Sequence, residues 1–298
     1  TLIQRIKLSI PSKILVLDLA IDQEKNLCKR LESISNVLVV DHHQVTNDIN
    51  SKRLVYYNPL LEKKDLYQSA SYLIYKLCSK ICDMKKYLWL ALIGIAGDYN
   101  IKDSMDLIEE GKKVYKEHFG DREINNGLTN SIFSKASDII TAMRASHVAS
   151  ERIAKMIDAL QDINEIEQNR EMLEYYEKLQ KEIDGILTSL KNEIEISENA
   201  VFYELKSKFN LRSVIASKLS EIFPRKLVLV WELSRNKIKF SARNHSGNID
   251  VNQVLKDASK DFESASTGGH TLAAGGLISV EEFNLFKEKI KEILSAKK

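Results

Sequence analysis

The sequence predicts an α/β protein with a parallel-sheet domain, a long helical linker and a smaller α+β domain at the C-terminus. Three observations carry this expectation. The apolar runs KILVLDLAI (13–21) and NVLVV (36–40) flank a helical pattern at Leu27, Leu31 and Ile34. That is the spacing of a βαβ unit with strands buried on both faces. Residues 138–197 hold one glycine, Gly185, and no proline, and are rich in Glu, Lys, Ile and Leu at helical spacing. After them the pattern changes to short alternating or apolar runs, AVFYEL (200–205), KLVLVWEL (226–233) and KIKFSAR (237–243). The expected boundaries are 1–145, 146–197 and 198–298.

The remaining elements follow in order. VYYNP (55–59) reads as a third strand stopped by Pro59, and 66–82 and 85–97 as apolar helices. GKKVYKEHF (111–119) reads as an amphipathic helix, and SDIITAMRA (137–145) opens on a Ser/Asp capping signal. The segment 164–195 reads as one long, charged, solvent-washed helix. RSVIASKLSEIF (212–223) is a helix between two strands, and FNLFKEKIKEILSAKK (283–298) closes the chain as an amphipathic helix.

Composition excludes several classes. The chain has 298 residues, 44% hydrophobic and 29% charged, which is the make-up of a folded globular protein of about two domains. No apolar run approaches the roughly 18–20 residues of a membrane helix; the longest, KYLWLALIGIAG (86–97), reads as core. No secretory leader is recognisable, and the three cysteines (Cys28, Cys78, Cys82) follow no zinc-binding spacing, so a reducing cytoplasm is expected. With 44 basic against 42 acidic residues, the net charge is +2, and any affinity for nucleic acid must come from a local groove.

The chemistry starts at Asp41-His42-His43, directly after NVLVV. In open α/β sheets ligands bind at the carboxyl ends of strands, and Asp with His suits divalent metals. Asp18 interrupts the first apolar strand, where a charge costs several kcal/mol unless it is paired or binds a metal. Each acid has the alternative of capping a following helix. Parallel neighbours in a βαβ unit place both at the same sheet edge, which favours a metal. Asp98 appears as ALIGIAG (91–97) ends, where Gly94 and Gly97 allow close helix packing or a tight helix end; its alternative is an ordinary loop acid. Carboxylates around two cations would activate water and neutralise phosphate charge. In the C-terminal part, Gly268 and Gly269 before His270 read as a turn whose backbone N–H groups suit a phosphate. Arg243, closing KFSAR, suits bidentate phosphate contacts.

These residues together resemble the DHH phosphoesterase superfamily. The resemblance rests on VLDLAI around Asp18, VVDHH (39–43), IAGDYN around Asp98, SAR (241–243) and GGHTLAAGG (268–276). It spans most of the chain in the right order, and its C-terminal part resembles the DHH-associated domain of the RecJ-like, oligonucleotide-degrading branch. The resemblance implies an enzyme using two manganese or magnesium ions to hydrolyse single-stranded DNA or RNA ends, or short oligonucleotides. It implies Asp18, Asp41, His42 and Asp98 as metal residues, with Asp18 bridging both ions. Asp41 would support the site from the strand end, and His43 would lie near the scissile phosphate. Arg243, Gly268, Gly269 and His270 would hold the substrate, with Ser69 in YQSASYL (67–73) near the site. The family's first motif, a His with paired acids, would lie before Asp18, and TLIQRIKLSIPSK (1–13) supplies none of it. A chain opening on Thr1 is expected to be truncated. A true loss would imply a non-catalytic replication or repair subunit that binds single-stranded DNA or protein partners.

Overall fold

The computed structural model describes residues 2–9, 11–120, 127–128, 130–190 and 193–296. The chain divides into two compact units, residues 1–141 with 151–173, and residues 142–150 with 174–298. Among the described residues no helix is long and apolar enough to cross a membrane.

The first unit begins with α1 (Leu2–Ser9), β1 (Lys13–Leu17), α2 (Lys25–Glu32), β2 (Asn36–Val40) and β3 (Leu54–Tyr57). The three strands form a parallel sheet in the order β1-β2-β3. Leu15 pairs with Leu38 and Leu38 with Val55, and Leu17 pairs with Val40 and Val40 with Tyr57. One face carries Val37, Val39, Leu54 and Tyr56, which pack with Ile21, Cys28 and Leu31. Burial on both faces, expected from the unbroken apolar runs, holds for Val39 and Val40 but not for β1. Leu15 stays 65% exposed and Val55 57% exposed, because both sit on edge strands of the described sheet, whereas Val40 of the central strand is buried on the same face.

Four helices complete the core of this unit: α3 (Ala70–Cys78), α4 (Leu88–Gly97), α5 (Met105–Val114) and the first part of α6 (Ile132–Ala145). α4 is apolar on nearly every side, so it is the central buried helix. Its two glycines are packing positions: a Cβ on Gly94 would fall 2.0 Å from Ser71 Oγ of α3, and one on Gly97 2.5 Å from Ser137 Oγ of α6. Ser137 therefore lies inside α6 rather than capping it, and the helix starts five residues earlier than SDII suggested. The segment 111–119 is also not one helix, since α5 ends at Val114 and a short 3₁₀ turn follows at Lys116–His118.

After α7 (Ser150–Asp158) comes α8 (Arg170–Ser189), shorter than the helix expected over 164–195. A separate 3₁₀ turn, Ile163–Glu167, precedes it, capped by the Asp162 side chain. α8 is not washed by solvent all round. Met172, Leu179, Ile183 and Ile186 are buried, at the three- and four-residue spacing of a packed helix face.

The second unit is a six-stranded mixed sheet with helices on both faces. In chain order it contains β4 (Ile194–Ile196), β5 (Ala200–Glu204), α9 (Arg212–Ile222), β6 (Leu227–Ser234), β7 (Lys237–Arg243), α10 (Val251–Ser259), β8 (Ser266–His270), β9 (Ala273–Ser279) and α11 (Val280–Ala296). The sheet order is β4-β5-β6-β7-β9-β8, with β5 and β6 the parallel pair. One face (Phe202, Leu229, Phe240, Ile278) packs with Val254, Phe286 and Ile290 of α10 and α11. The other face (Val201, Tyr203, Val228, Val230) packs with Ile183 of α8 and Ile215 and Leu219 of α9.

Candidate metal centre and substrate face

β1 ends at Leu17, and Asp18 follows with φ of 59°, a left-handed conformation that Asp tolerates better than most residues. The Asp18 backbone N–H still donates to Val40 O at 2.9 Å, and that of Asp41 to Tyr57 O at 3.1 Å. Parallel register therefore delivers Asp18 and Asp41 side by side at the carboxyl edge of the sheet. The two acids then diverge. Asp18 is 58% exposed and its Oδ1 lies 3.1 Å from His42 Nε2. Asp41 is fully buried and accepts from His43 Nδ1 at 2.7 Å.

Asp18, His42 and His43 bring ligand atoms within 4.8 Å of one another. The Asp41 bond fixes the His43 tautomer, leaving the Nε2 lone pair for a metal or a proton, the usual role of a carboxylate behind a metal-binding imidazole. The same bond, helped by the charges of Asp41, Asp18 and Asp98 and opposed by burial, raises the His43 pKa above its ordinary value. Two buried atoms, Asp41 Oδ2 and His42 Nδ1, have no hydrogen-bond partner. Buried unsatisfied groups cost about 1–3 kcal/mol each, and a folded protein keeps few of them. Oxygen and imidazole donors in this arrangement fit a hard or borderline divalent ion.

Asp98 is the C-cap residue of α4. Burial raises its pKa, His42 and His43 oppose that rise, and Asp18 reinforces it, so Asp98 lies in the electrostatic field of the same cluster. Tyr67 adds a wall. Its ring centroid is 5.5 Å from that of His42, its hydroxyl donates to the Asp98 carbonyl at 3.4 Å, and burial beside Asp98 pushes its own pKa up to about 12.

Ser69 is fully buried, caps α3 by accepting from the Tyr72 N–H at 3.3 Å, and lies 3.0 Å from Ser71 Oγ.

Two residues that sequence reasoning missed hold the histidine segment in place. Asp22, fully buried, accepts the backbone N–H groups of Thr46 at 2.6 Å and Asn47 at 3.1 Å. Asn58, also buried, donates to His43 O at 2.9 Å while its Oδ1 accepts from Leu60 N. Asn58-Pro59 is a turn-initiating dipeptide, and that was the available signal for the second. Nothing in the sequence around Asp22 separates it from a surface acid.

In the second unit, the Gly-Gly-His segment is strand rather than turn. Gly268 and Gly269 lie in β8, and the hairpin turns at Thr271 and Leu272. Gly268 pairs with Gly275, and Gly275 with Ser241. Alternation then puts Gly268, His270, Gly275, Ser241 and Arg243 on the face opposite the α10–α11 core. A Cβ on Gly268 would meet nothing within 4 Å, so the backbone there is open to a ligand. Arg243 borders this face, with Nη2 donating to Ser213 Oγ at 2.6 Å and Nη1 to Ala242 O at 2.9 Å. Burial lowers its pKa below the ordinary value, yet an arginine stays charged at any physiological pH.

Residues 211–296 match the DHHA1 domain family model. The whole chain is similar in fold to RecJ in complex with Mn2+ from Thermus thermophilus, with a TM-score of 0.73 and 18% identity over 99% of this chain. It spans 47% of that RecJ chain, about half its length. An exonuclease RecJ bound to manganese gives a TM-score of 0.66 at 18% identity, covering 99% of this chain and 79% of that one. A DHH domain from a member of the s1p family of ribosomal proteins gives 0.70 at 17% identity, covering 94% and 69%. No curated protein matches the sequence. Residues 211–296 are thus similar to a DHHA1 domain, and the fold of the chain is the one seen in these RecJ and DHH-domain structures.

Proposed function

We propose that this chain is the catalytic part of a metal-dependent phosphodiesterase that hydrolyses single-stranded DNA or RNA ends, or short oligonucleotides. The observation that carries this reading is the Asp18–His42–His43 cluster backed by buried Asp41. In the proposed site Asp18, His42 and Asp98 hold manganese or magnesium, and Asp41 supports them through the strand end. A divalent ion pair supplies an activated water and neutralises phosphate charge. The chain's own groups do the rest. Asp41 would hold the His43 ring through Nδ1, leaving Nε2 free to donate to or accept from the phosphate and its attacking water. Arg243, Gly268, Gly269 and His270 hold a phosphate or terminal nucleotide on the open sheet face, in a DHHA1 substrate domain spanning 198–298.

The test is hydrolysis of short oligonucleotides with manganese added or removed by a chelator. Manganese-dependent cleavage by the wild-type chain, lost in Asp98→Ala with the thermal transition unchanged, supports the reading. Oligonucleotide binding with no cleavage in any metal supports a non-catalytic subunit instead.

A further inference from the structure

The second unit contains a cavity of about 370 Å³ that none of the residues above occupies. It opens at the carboxyl ends of β5 and β6, the parallel pair of this sheet, which is the usual ligand position in open α/β sheets. Four cations line it: Lys206 and Lys208 from the β5–α9 loop, Arg212 of α9 and Lys239 of β7. Two carboxylates oppose them. Glu232 pairs with Arg212, and Glu204 lies 3.9 Å from Lys206. Among the described residues Lys208 and Lys239 have no carboxylate partner, so the cavity keeps uncompensated positive charge. A half-buried aromatic ring, Phe209, completes the lining, with Lys208 Nζ 5.3 Å from its centroid. Cations beside an accessible ring suit a phosphate and a stacked base together.

The cavity also continues the open sheet face. Lys239, Ser241 and Arg243 alternate along β7 and point to the same side, with Lys239 opposite Glu232 in the neighbouring strand. Lys239 and Arg243 are four residues apart, about 13 Å along a strand, so a ligand touching both is longer than one phosphate group.

We propose that this cavity is a second nucleotide subsite, which takes a phosphate and base of a single-stranded oligonucleotide whose end lies on the Arg243–Gly268 face. The inference rests on the reading of that face as substrate-binding, and deepens it by assigning a preference for chains of several nucleotides over dinucleotides.

The test measures binding of a fluorescent thymidine dinucleotide and of an oligothymidylate of about twelve nucleotides, within the range one single-strand-binding domain covers, to the intact chain across a salt series. In wild type the longer ligand binds more tightly. In Lys206→Glu/Lys208→Glu the affinity ratio of long to short falls about tenfold, and the salt slope for the longer ligand shrinks by about one phosphate contact or more. Both lysines are exposed, so the fold is retained, and Lys239→Ala repeats the test on a strand residue. An unchanged ratio in both variants, or a wild-type affinity independent of length, overturns the subsite. Equal binding of a polyglutamate of matched length overturns its assignment to nucleic acid. Arg243→Ala tests the underlying reading separately, because dinucleotide affinity unchanged in that variant removes the sheet face and leaves the cavity result standing on its own.

Discussion

At the ends of β1 and β2, side chains converge. Three ligand groups meet within 4.8 Å, and behind them lies a carboxylate with no exposure at all. On the β7–β9–β8 face of the second unit, side chains are withdrawn, and Gly268 opposite Gly275 leaves the backbone bare beside one arginine. In the proposed function both arrangements serve phosphate, through different physics. The first concentrates charge, so it depends on donor identity and on the tautomer that Asp41 imposes. The second provides room, so it depends on the absence of Cβ atoms and tolerates changes of charge nearby. Mutations in the first should therefore damage chemistry, and mutations in the second should separate into those that damage folding and those that damage binding.

The largest effect is expected for His42→Ala. Loss of a metal donor should lower hydrolysis by about a thousandfold or more, roughly 4 kcal/mol of barrier, with the melting temperature measured alongside in the absence of metal. Turnover like wild type would remove His42 from the cluster. Asp41→Asn comes next. It keeps the shape but breaks the charge behind His43, and groups in that position typically contribute 10–100-fold, or about 1.4–2.7 kcal/mol; an unchanged pH–rate profile would mean that Asp41 is only structural. Gly276→Ala tests folding in the other unit. Its Cβ would fall 2.2 Å from Ser266 O and 2.8 Å from the Phe240 ring, so a loss of about 1–3 kcal/mol in unfolding free energy is expected. Gly268→Ala, in the neighbouring strand of the same hairpin, should change stability by only about 0.5 kcal/mol while weakening oligonucleotide binding. If the two alanine variants behaved alike in denaturation and in binding, the contrast between packed and open glycines would be lost.

Much of the first unit was legible because parallel pairing is a strong constraint. Once 13–21 and 36–40 are adjacent parallel strands, Asp18 and Asp41 must emerge at one edge. Asp98 was legible as the residue where an apolar helix stops. What failed shares one cause, that the same residue types serve both structure and chemistry. Ser137 looked like a cap and is an interior packing residue against Gly97. Gly268 and Gly269 read as a turn because glycine is rare in strands, yet here they are strand residues. The division of labour between Asp41 and His43 depends on a 2.7 Å bond that spacing alone does not specify.

The central claim is that the cluster built on Asp18 and His42 holds a divalent metal. Thermal unfolding of the intact chain and of His42→Ala across a manganese series tests it without relying on turnover. The account predicts a saturable stabilisation of the wild type, about 2.7 kcal/mol when manganese reaches a hundred times its dissociation constant, and a much smaller one in the variant. Identical manganese responses in the two proteins, or none in the wild type, would contradict it.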